Sequence, residues 1–302
     1  MTRLSTRDSR APSAPVNRSS PVTSAEWIDY FQRNARSLGA MPWEAGVALT
    51  EAEQTAVAGS VPTFQIGETG SGRHLLAAAA RYVAVSGDED YLAALRLFIA
   101  EEQRHGADLG RWLDLAGIPR IEKHWTNGIF RRVRQLAGLE LMISLLLTAE
   151  VMAMAYYAAL RKATRSIVLR RLCEQILKDE VAHIRFQSQR LALLRRCRPK
   201  LLLSLTRAAH RILFAATALV VWRTHRAALR GGGFDFRGYC HKTQKEVEIA
   251  MRLMEPGGGK LDGTSGSGLA ACRPVESSRD SNELTRPAIR DENAPESERF
   301  RV

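Results

Sequence analysis

Two short stretches of the chain pair a carboxylate with an imidazole at the same spacing. Glu102 precedes His105 by three residues, and Glu180 precedes His183 by three. Residues three apart lie on one face of an α-helix, so each Glu-x-x-His can direct both side chains at one point. Such a pair can bind a metal ion or form a buried hydrogen bond. One motif alone would favour the hydrogen bond.

Both motifs continue an apolar stripe, at positions where core residues are expected. Ile99 and Leu109 flank the first motif, and Ile176 and Ile184 flank the second. A buried carboxylate is costly unless it is paired or bound to a metal. Because this costly arrangement occurs twice in matching settings, the sequence favours a metal site over two separate hydrogen bonds.

Almost all of the chain between two polar ends is predicted to be helical. Residues 1–24, rich in Ser, Thr, Pro and Arg, and residues 255–302, rich in Gly, Ser, Pro and charge, are predicted to be disordered tails. The helical domain between them, residues 25–254, has a metal-binding core at about 60–195 and accessory helices over 201–254. Helical periodicity and end signals predict helices at 25–37, 50–60, 62–85 (helix A), 88–116 (helix B), 138–162 (helix C), 166–195 (helix D), 201–229 and 240–254.

The first motif predicts a further carboxylate on helix A. A tight turn at Gly87 makes helices A and B antiparallel neighbours. Glu102 lies 15 residues after this glycine, which corresponds to the level of residue 72 on helix A, about one turn from Glu68. Glu68 is the sole acid of helix A, and the acids before Pro62 lie about 22 Å further along.

The second motif gives the same result for helix C. The turn between helices C and D centres on Arg165, with Glu180 15 residues after it and Glu150 15 residues before it. Glu140 misses this level by about 15 Å. Residues 141–160 around Glu150 are apolar enough to cross a bilayer. A core helix is favoured, because its acid matches one on helix D and helix D is amphipathic.

The six predicted ligands suit two hard or borderline cations such as iron or manganese, and the lack of thiolates argues against zinc or an iron–sulfur cluster. Over residues 60–195 this pattern resembles the ferritin-like di-iron carboxylate superfamily. The resemblance implies an all-α, ferritin-like four-helix bundle with extra flanking helices. It also implies a long crossover from helix B to helix C through residues 118–137, in which His124 is not expected to be a ligand.

The resemblance also implies a role for each side chain around two iron ions, two manganese ions or a mixed pair. The acids that precede the two motifs, Glu101 and Asp179, match residues that orient a ligating histidine. For Glu101 a solvated surface acid is an equal alternative. The predicted metal ligands are Glu102 and Glu180 as bridges, His105 and His183 as one imidazole per metal, and Glu68 and Glu150 as terminal carboxylates.

Two further residues near the predicted site have two interpretations each. Gly72 lies one turn from Glu68 on the same face of helix A, where it either leaves room for oxygen or a substrate or allows close helix packing. Tyr157 lies seven residues from Glu150 on one face, and a core aromatic is favoured over a redox tyrosine.

Positive charge is concentrated after the second motif. Between Glu180 and Asp235 there are 11 Lys or Arg and no acid, against a formal net charge of +12 for the chain. This predicts a basic face over residues 185–230 that either is solvated or binds an acidic protein, an anionic membrane surface or nucleic acid. The apolar run 212–222 is predicted to be too short to span a membrane. The four scattered cysteines and the lack of a signal peptide favour reduced thiols and a cytoplasmic location.

The ligand pattern favours an oxygen-activating di-iron oxidoreductase with an external electron donor and a small-molecule or carrier-bound substrate. Residues 101–106, with Leu109 and Trp112, resemble the first metal motif of acyl-carrier-protein desaturases. A rubredoxin-like Cys site, which peroxide-reducing rubrerythrins often carry, is missing from the sequence. Di-iron arylamine N-oxygenases are also disfavoured, because Ile176 stands where they have a third histidine. A ferroxidase or iron-handling protein and a non-catalytic metal-binding scaffold are the alternatives. The sequence leaves the oligomeric state open.

Overall fold

The structure is a computed structural model that describes residues 23–122 and 138–255. These residues are almost entirely helical and contain no β-strand, which confirms the predicted all-α helical bundle. Residues 1–22, 123–137 and 256–302 lie outside the described residues. Most of both predicted tails, His124 and most of the predicted crossover therefore lie outside them as well.

The helices follow the predicted order, with one break. A 3₁₀ turn, Trp43–Ala45, lies between the first two of them. The helices of the described residues are α1 (Ser24–Arg36), α2 (Glu51–Ala58), α3 (Val61–Glu68), α4 (Arg73–Ser86), α5 (Glu89–Leu115), α6 (Leu139–Ala163), α7 (Ile167–Arg195), α8 (Lys200–Gly231) and α9 (Phe236–Leu253).

The core is enclosed by four sides of a helical bundle, one of which consists of the two helices α3 and α4. The pair α3 and α4 contacts α5, α5 contacts α7, α7 contacts α6, and α6 contacts α4, so the four sides form a closed ring. This arrangement is compatible with a ferritin-like bundle. Helix α1 packs on α5, α8 packs on α6, and α9 packs on α6, α7 and α8.

The turns within the bundle form where the sequence predicts them. Gly87 ends α4 with a φ of 72°, which glycine adopts without steric cost. Ser166 caps α7 by accepting a hydrogen bond from the Leu169 amide at 3.3 Å. The end of α5 closes with a bond from the Ile118 amide to the Leu113 carbonyl at 3.0 Å across Gly117. These ends fix the levels at which α4, α5, α6 and α7 meet.

The prediction of one continuous helix over 62–85 is wrong. Helix α3 ends at Glu68, and α4 begins after Gly72, whose φ is 63°. Glycines disfavour a helix interior by about 1 kcal/mol each, and Gly70 and Gly72 both fall in this break. The end of α3 lies close against α5 at Gly106. A Cβ on this glycine would lie only 3.2 Å from the Glu68 carbonyl carbon, so a larger residue would not fit there. Glu68 is therefore presented from a helix end.

Gly72 accordingly serves packing and does not open space beside the predicted ligands. A Cβ on this residue would lie 3.0 Å from Cγ1 of Ile99 on α5, at a positive φ. Of the two interpretations given above, close packing is the one that the structure fits.

We expect Gly72→Ala to destabilise the fold by about 2 kcal/mol, because it combines a left-handed backbone with crowding against Ile99. Gly59→Ala is the matched control, since Gly59 has a φ of −82° and open space around its Cβ. Chemical denaturation of both variants measures the difference. Equal stability of Gly72→Ala and the parent would contradict this account of the break.

Two helices of the described residues are long and apolar enough to cross a membrane by length and composition, α6 and α8. The apolar window of α6 is 78% buried in the bundle, whereas that of α8 is only 11% buried. Helix α6 is thus a core helix, as predicted. The predicted apolar run over 212–222 is itself too short to span, and α8 reaches spanning length only together with the residues on either side of that run.

Candidate metal centre

The six residues singled out in the sequence lie together in the middle of the bundle. They come from α3, α5, α6 and α7, so each of the four sides contributes at least one of them. Five of the six are buried, and Glu102 is half-buried. One atom from each member lies within 4.8 Å of the others in each of two groups, which are Glu102, Glu150, Glu180 and His183, and Glu68, Glu102 and His105.

Glu102 belongs to both groups and lies between the two imidazoles. Its Oε1 is 2.8 Å from Nδ1 of His183 and 3.9 Å from Nδ1 of His105. Glu180 lies in one group, with Oε2 3.4 Å from Nδ1 of His183. The sequence resemblance predicts two bridging carboxylates, and the geometry gives this shared position to Glu102.

Several polar atoms at the centre of the cluster are buried and form no well-aligned hydrogen bond, although Oε1 of Glu102 and Nδ1 of His183 lie 2.8 Å apart. These buried atoms are Oε1 of Glu102, both carboxylate oxygens of Glu180, and Nδ1 of His105 and of His183. Leaving such atoms unsatisfied costs about 1–3 kcal/mol each, so native proteins rarely do so without a reason. Oxygen and imidazole donors converging on one region fit a hard or borderline divalent cation.

The outer nitrogen of each imidazole is fixed by a carboxylate from the opposite helix. Nε2 of His105 on α5 lies 3.0 Å from Oδ2 of Asp179 on α7, and Nε2 of His183 on α7 lies 3.0 Å from Oε2 of Glu101 on α5. With Nε2 as the donor to a carboxylate, Nδ1 is the nitrogen that faces the cluster, and its lone pair becomes available to a cation once Nδ1 is deprotonated. The acid before each motif thus contacts the histidine of the other motif.

Asn34 connects these two outer carboxylates, and the sequence analysis missed it. Its Nδ2 donates to Oε1 of Glu101 at 2.7 Å and to Oδ1 of Asp179 at 2.8 Å. Asn34 lies on the face of α1 that also carries the buried Trp27 and Phe31. A polar residue that continues an apolar stripe at i, i+4, i+7 was the available signal.

Two terminal carboxylates are also held by neutral donors. Tyr157 donates to Oε1 of Glu68 at 2.8 Å, and Gln187 donates to Oε1 of Glu150 at 2.9 Å. Tyr157 is a core aromatic, as favoured from the sequence, and it additionally touches the cluster. Glu140, which was excluded by its level, lies elsewhere and pairs with Arg195 at 2.8 Å.

Burial and mutual repulsion of the crowded carboxylates shift the pKa values of the cluster. Burial, followed by the charge of Glu102, raises the pKa of Glu68 well above its ordinary value. Burial, followed by the charge of Glu150, does the same to the pKa of Glu180. Burial alone would lower the pKa of His183, but Glu102 and Glu101 outweigh it and raise that pKa well above its usual range. Protons therefore neutralise the cluster when no cation does.

The pKa of Asp179 is shifted in the opposite direction. This suits its position beside His105, where an ionised carboxylate accepts a hydrogen bond. Burial alone would raise the pKa of Asp179, but hydrogen bonds with His105, Asn34 and Gln175 outweigh it and hold that pKa well below its usual range. Asp179 also pairs with Arg104 at 2.8 Å. An ionised Asp179 only accepts hydrogen bonds, so it keeps the His105 Nε2 proton in place.

Comparisons with protein-family models, with curated proteins and with solved structures found no match for this chain. The structure therefore shows an all-α bundle with a buried carboxylate and histidine cluster at metal-binding distances. The assignment of individual residues as ligands remains a prediction.

We expect divalent metal binding to strengthen as the pH rises from about 6 to 8, with net release of on the order of one to two protons. The raised pKa values of Glu68, Glu180 and His183 mean that protons occupy these groups at the lower pH and compete with the cation. Calorimetric titration with Mn²⁺ in buffers of different ionisation enthalpy measures both quantities. An affinity independent of pH, with no proton release, would contradict this description of the cluster.

Proposed function

We propose that the chain binds two metal ions, iron or manganese, at the buried cluster and acts as an oxygen-dependent oxidoreductase. The observation that carries the proposal is a set of buried oxygen and nitrogen atoms that form no well-aligned hydrogen bond and could each bind a metal. They belong to Glu102, Glu180, His105 and His183. The close approaches between these atoms, such as the 2.8 Å from Oε1 of Glu102 to Nδ1 of His183, lie within the cluster itself, and two cations would satisfy all of these atoms together. The proposed ligands are Glu68, Glu102, His105, Glu150, Glu180 and His183, with Glu101 and Asp179 as supports of the imidazoles.

The two groups of donors suggest how the ions would be shared. Glu68 and His105 would hold one ion, and Glu150, Glu180 and His183 the other, with Glu102 reaching both. Bound iron or manganese would supply the redox chemistry with oxygen. The protein fixes the ligands, since Glu101, Asp179 and Asn34 leave each imidazole one orientation.

A cavity beside the cluster supplies room for a substrate. It has a volume of about 180 Å³ and reaches three of the proposed ligands, Glu68, Glu102 and Glu150. Its walls are otherwise mainly apolar, and it reaches the surface where Val220 and Thr224 of α8 are exposed. Apolar residues of α3, α6 and α8 line it: Phe64, Leu145, Leu146, Met152, Ala153 and Val221. The cavity favours an apolar organic substrate with its reacting carbon near the carboxylates.

The chain's own residues would prepare this end of the cavity. Tyr157 holds Glu68 by its hydrogen bond, and Phe64 stacks on Tyr156 with ring centroids 3.5 Å apart, which closes the wall. Ser60 joins Tyr156 and His225, at 2.9 Å each, behind that wall. These contacts would keep water from the reacting carbon and hold the substrate chain in one direction.

The proposed net reaction converts one substrate C–H bond to C–OH. The second oxygen atom leaves as water, and an external reductant supplies the two electrons, which are accompanied by two protons. The resemblance of residues 101–106 to a desaturase metal motif supports an oxidoreductase over iron storage. Within this motif Gly106 has a structural reason, because it allows α3 to end against α5.

Gly67→Leu tests the cavity as the substrate site. Gly67 lines the cavity and has open space around its Cβ, so leucine fills the cavity without disturbing the helices. We expect the iron-loaded parent to consume oxygen with a chemical reductant, and faster when an apolar substrate is found by screening chain-like and aromatic compounds. The variant should keep its metal content and its basal oxygen uptake but lose at least about tenfold of the substrate-stimulated part.

Gly59→Leu is the matched control, since Gly59 also has open space around its Cβ and does not line the cavity. It should behave as the parent. If oxygen uptake only tracks the oxidation of added ferrous iron and no organic compound stimulates it, the ferroxidase alternative replaces this proposal. If the fully loaded protein does not react with oxygen, the chain is a metal-binding scaffold.

A further inference from the structure

Helix α8 has an exposed apolar stripe along its outer face. Leu201, Leu205, Ile212 and Leu219 are 76%, 59%, 69% and 45% exposed. Their spacing of 4, 7 and 7 residues puts them on one side of the helix. The stripe runs from Leu201 to Leu219, 19 residues, or about 27 Å of helix. Single exposed apolar residues are ordinary, but a continuous stripe of this length marks an interaction surface.

The other side of α8 is fixed to the bundle. His210, Phe214, Trp222 and Leu229 are buried, and α8 packs against α6. Nδ1 of His225 lies 2.9 Å from the hydroxyl of Ser60 in the bundle wall. A helix packed in this way cannot cross a bilayer by itself, although its length and composition would allow it. It can lie in the plane of a membrane surface with its free stripe outward.

Most of the exposed charges around the stripe are positive, and the acids near it, Glu248 of α9 and Glu255 just after α9, line a pocket with Arg211. Arg223 continues the stripe four residues after Leu219, and Arg226 and Arg230 follow at the same end. Arg211 lies beside its middle, and no acid occurs between residues 181 and 234. None of these four arginines forms an ion pair with an acid among the described residues (the ion pairs in this region belong to other arginines).

The structure also reduces the number of cations in the predicted basic face that are available to a partner. Three of its cations have internal roles. Arg190 lies over the Tyr91 ring and bonds Asp88, while Arg195 and Arg198 both pair with Glu140. The cations free to meet a partner are therefore concentrated on α8, next to the apolar stripe.

We propose that α8 docks the protein on an anionic membrane surface, with the stripe in the headgroup layer and the arginines on lipid phosphates and carboxylates. Charge complementarity carries this choice of partner. A second copy of the chain would oppose the same face, with arginine meeting arginine at the Arg223 to Arg230 end, since the nearby acids Glu248 and Glu255 lie beside Arg211. Nucleic acid would match the arginines but not the apolar stripe at the centre, since such interfaces are polar.

The position of the cavity is consistent with docking through the outer face of α8. Val220 and Thr224 line it and are exposed on α8, close to the stripe. Docking would turn this side of the protein toward the lipid, which is where an apolar molecule is available. The docking inference does not depend on the proposed function, because it uses no property of the metal cluster.

Vesicle sedimentation with the full chain tests the inference. The probes are vesicles of phosphatidylcholine alone and vesicles with about 30 mol % phosphatidylglycerol. We expect strong binding to the anionic vesicles, weak binding to the neutral ones, and a loss of binding as salt shortens the Debye length from about 10 to 3 Å. Ile212→Asp should weaken binding by at least about tenfold, because it removes apolar burial and adds a negative charge.

Ile167→Asp is the matched control, since Ile167 is 59% exposed at the start of α7, away from the stripe. It should bind vesicles as the parent does. Arg223→Glu with Arg226→Glu should also weaken binding at least about tenfold without lowering the melting temperature. The inference is overturned if the parent ignores anionic vesicles, or if Ile212→Asp binds them as well as the parent. It is also overturned if Ile212→Asp merely converts a dimer to a monomer in analytical ultracentrifugation while neither form binds vesicles.

Discussion

The crowding of carboxylates and imidazoles in one buried site is the constraint on which the rest of the structure depends. A bundle core gains stability by excluding water, and every polar atom that it encloses must find a partner or lose that gain. Here Glu102 and Glu180 direct oxygens inward together with Nδ1 of two histidines, and the close approaches of these atoms, such as Glu102 to His183 at 2.8 Å, lie within the cluster. Protons balance the charges in the metal-free protein, at the cost of strongly shifted pKa values.

The surrounding helices are arranged to hold that cluster rigidly. The crossed bonds from Asp179 to His105 and from Glu101 to His183 tie α5 to α7, and Asn34 adds α1 to the same network. Helix α6, the most apolar of the bundle, supplies Glu150 and the floor of the cavity. One side of the cluster is thus closed by hydrogen-bonded supports, and the other opens along α8. This asymmetry suits the proposed redox site with an apolar substrate.

Much of this organisation follows from the sequence, because helix periodicity and turn positions set levels along antiparallel helices. Glu68 and Glu150 are identified from these levels alone. The break after Glu68 was missed because a run of helix-compatible residues hides two glycines whose role is set by the neighbouring Gly106 and Ile99. Asn34 was missed because its partners lie 67 and 145 residues away. The crossed pairing of acids and histidines likewise depends on which helices are neighbours, which a single sequence does not specify.

The central claim is that the cluster binds two metal ions that share Glu102. Metal counting after anaerobic loading with ferrous iron and removal of free ions tests it most directly. The account predicts about two ions per chain for the parent, the same for Glu174→Ala on the outer side of α7, and loss of both for Glu102→Ala. At most one tightly bound ion in the parent, or two ions retained by Glu102→Ala, would contradict it.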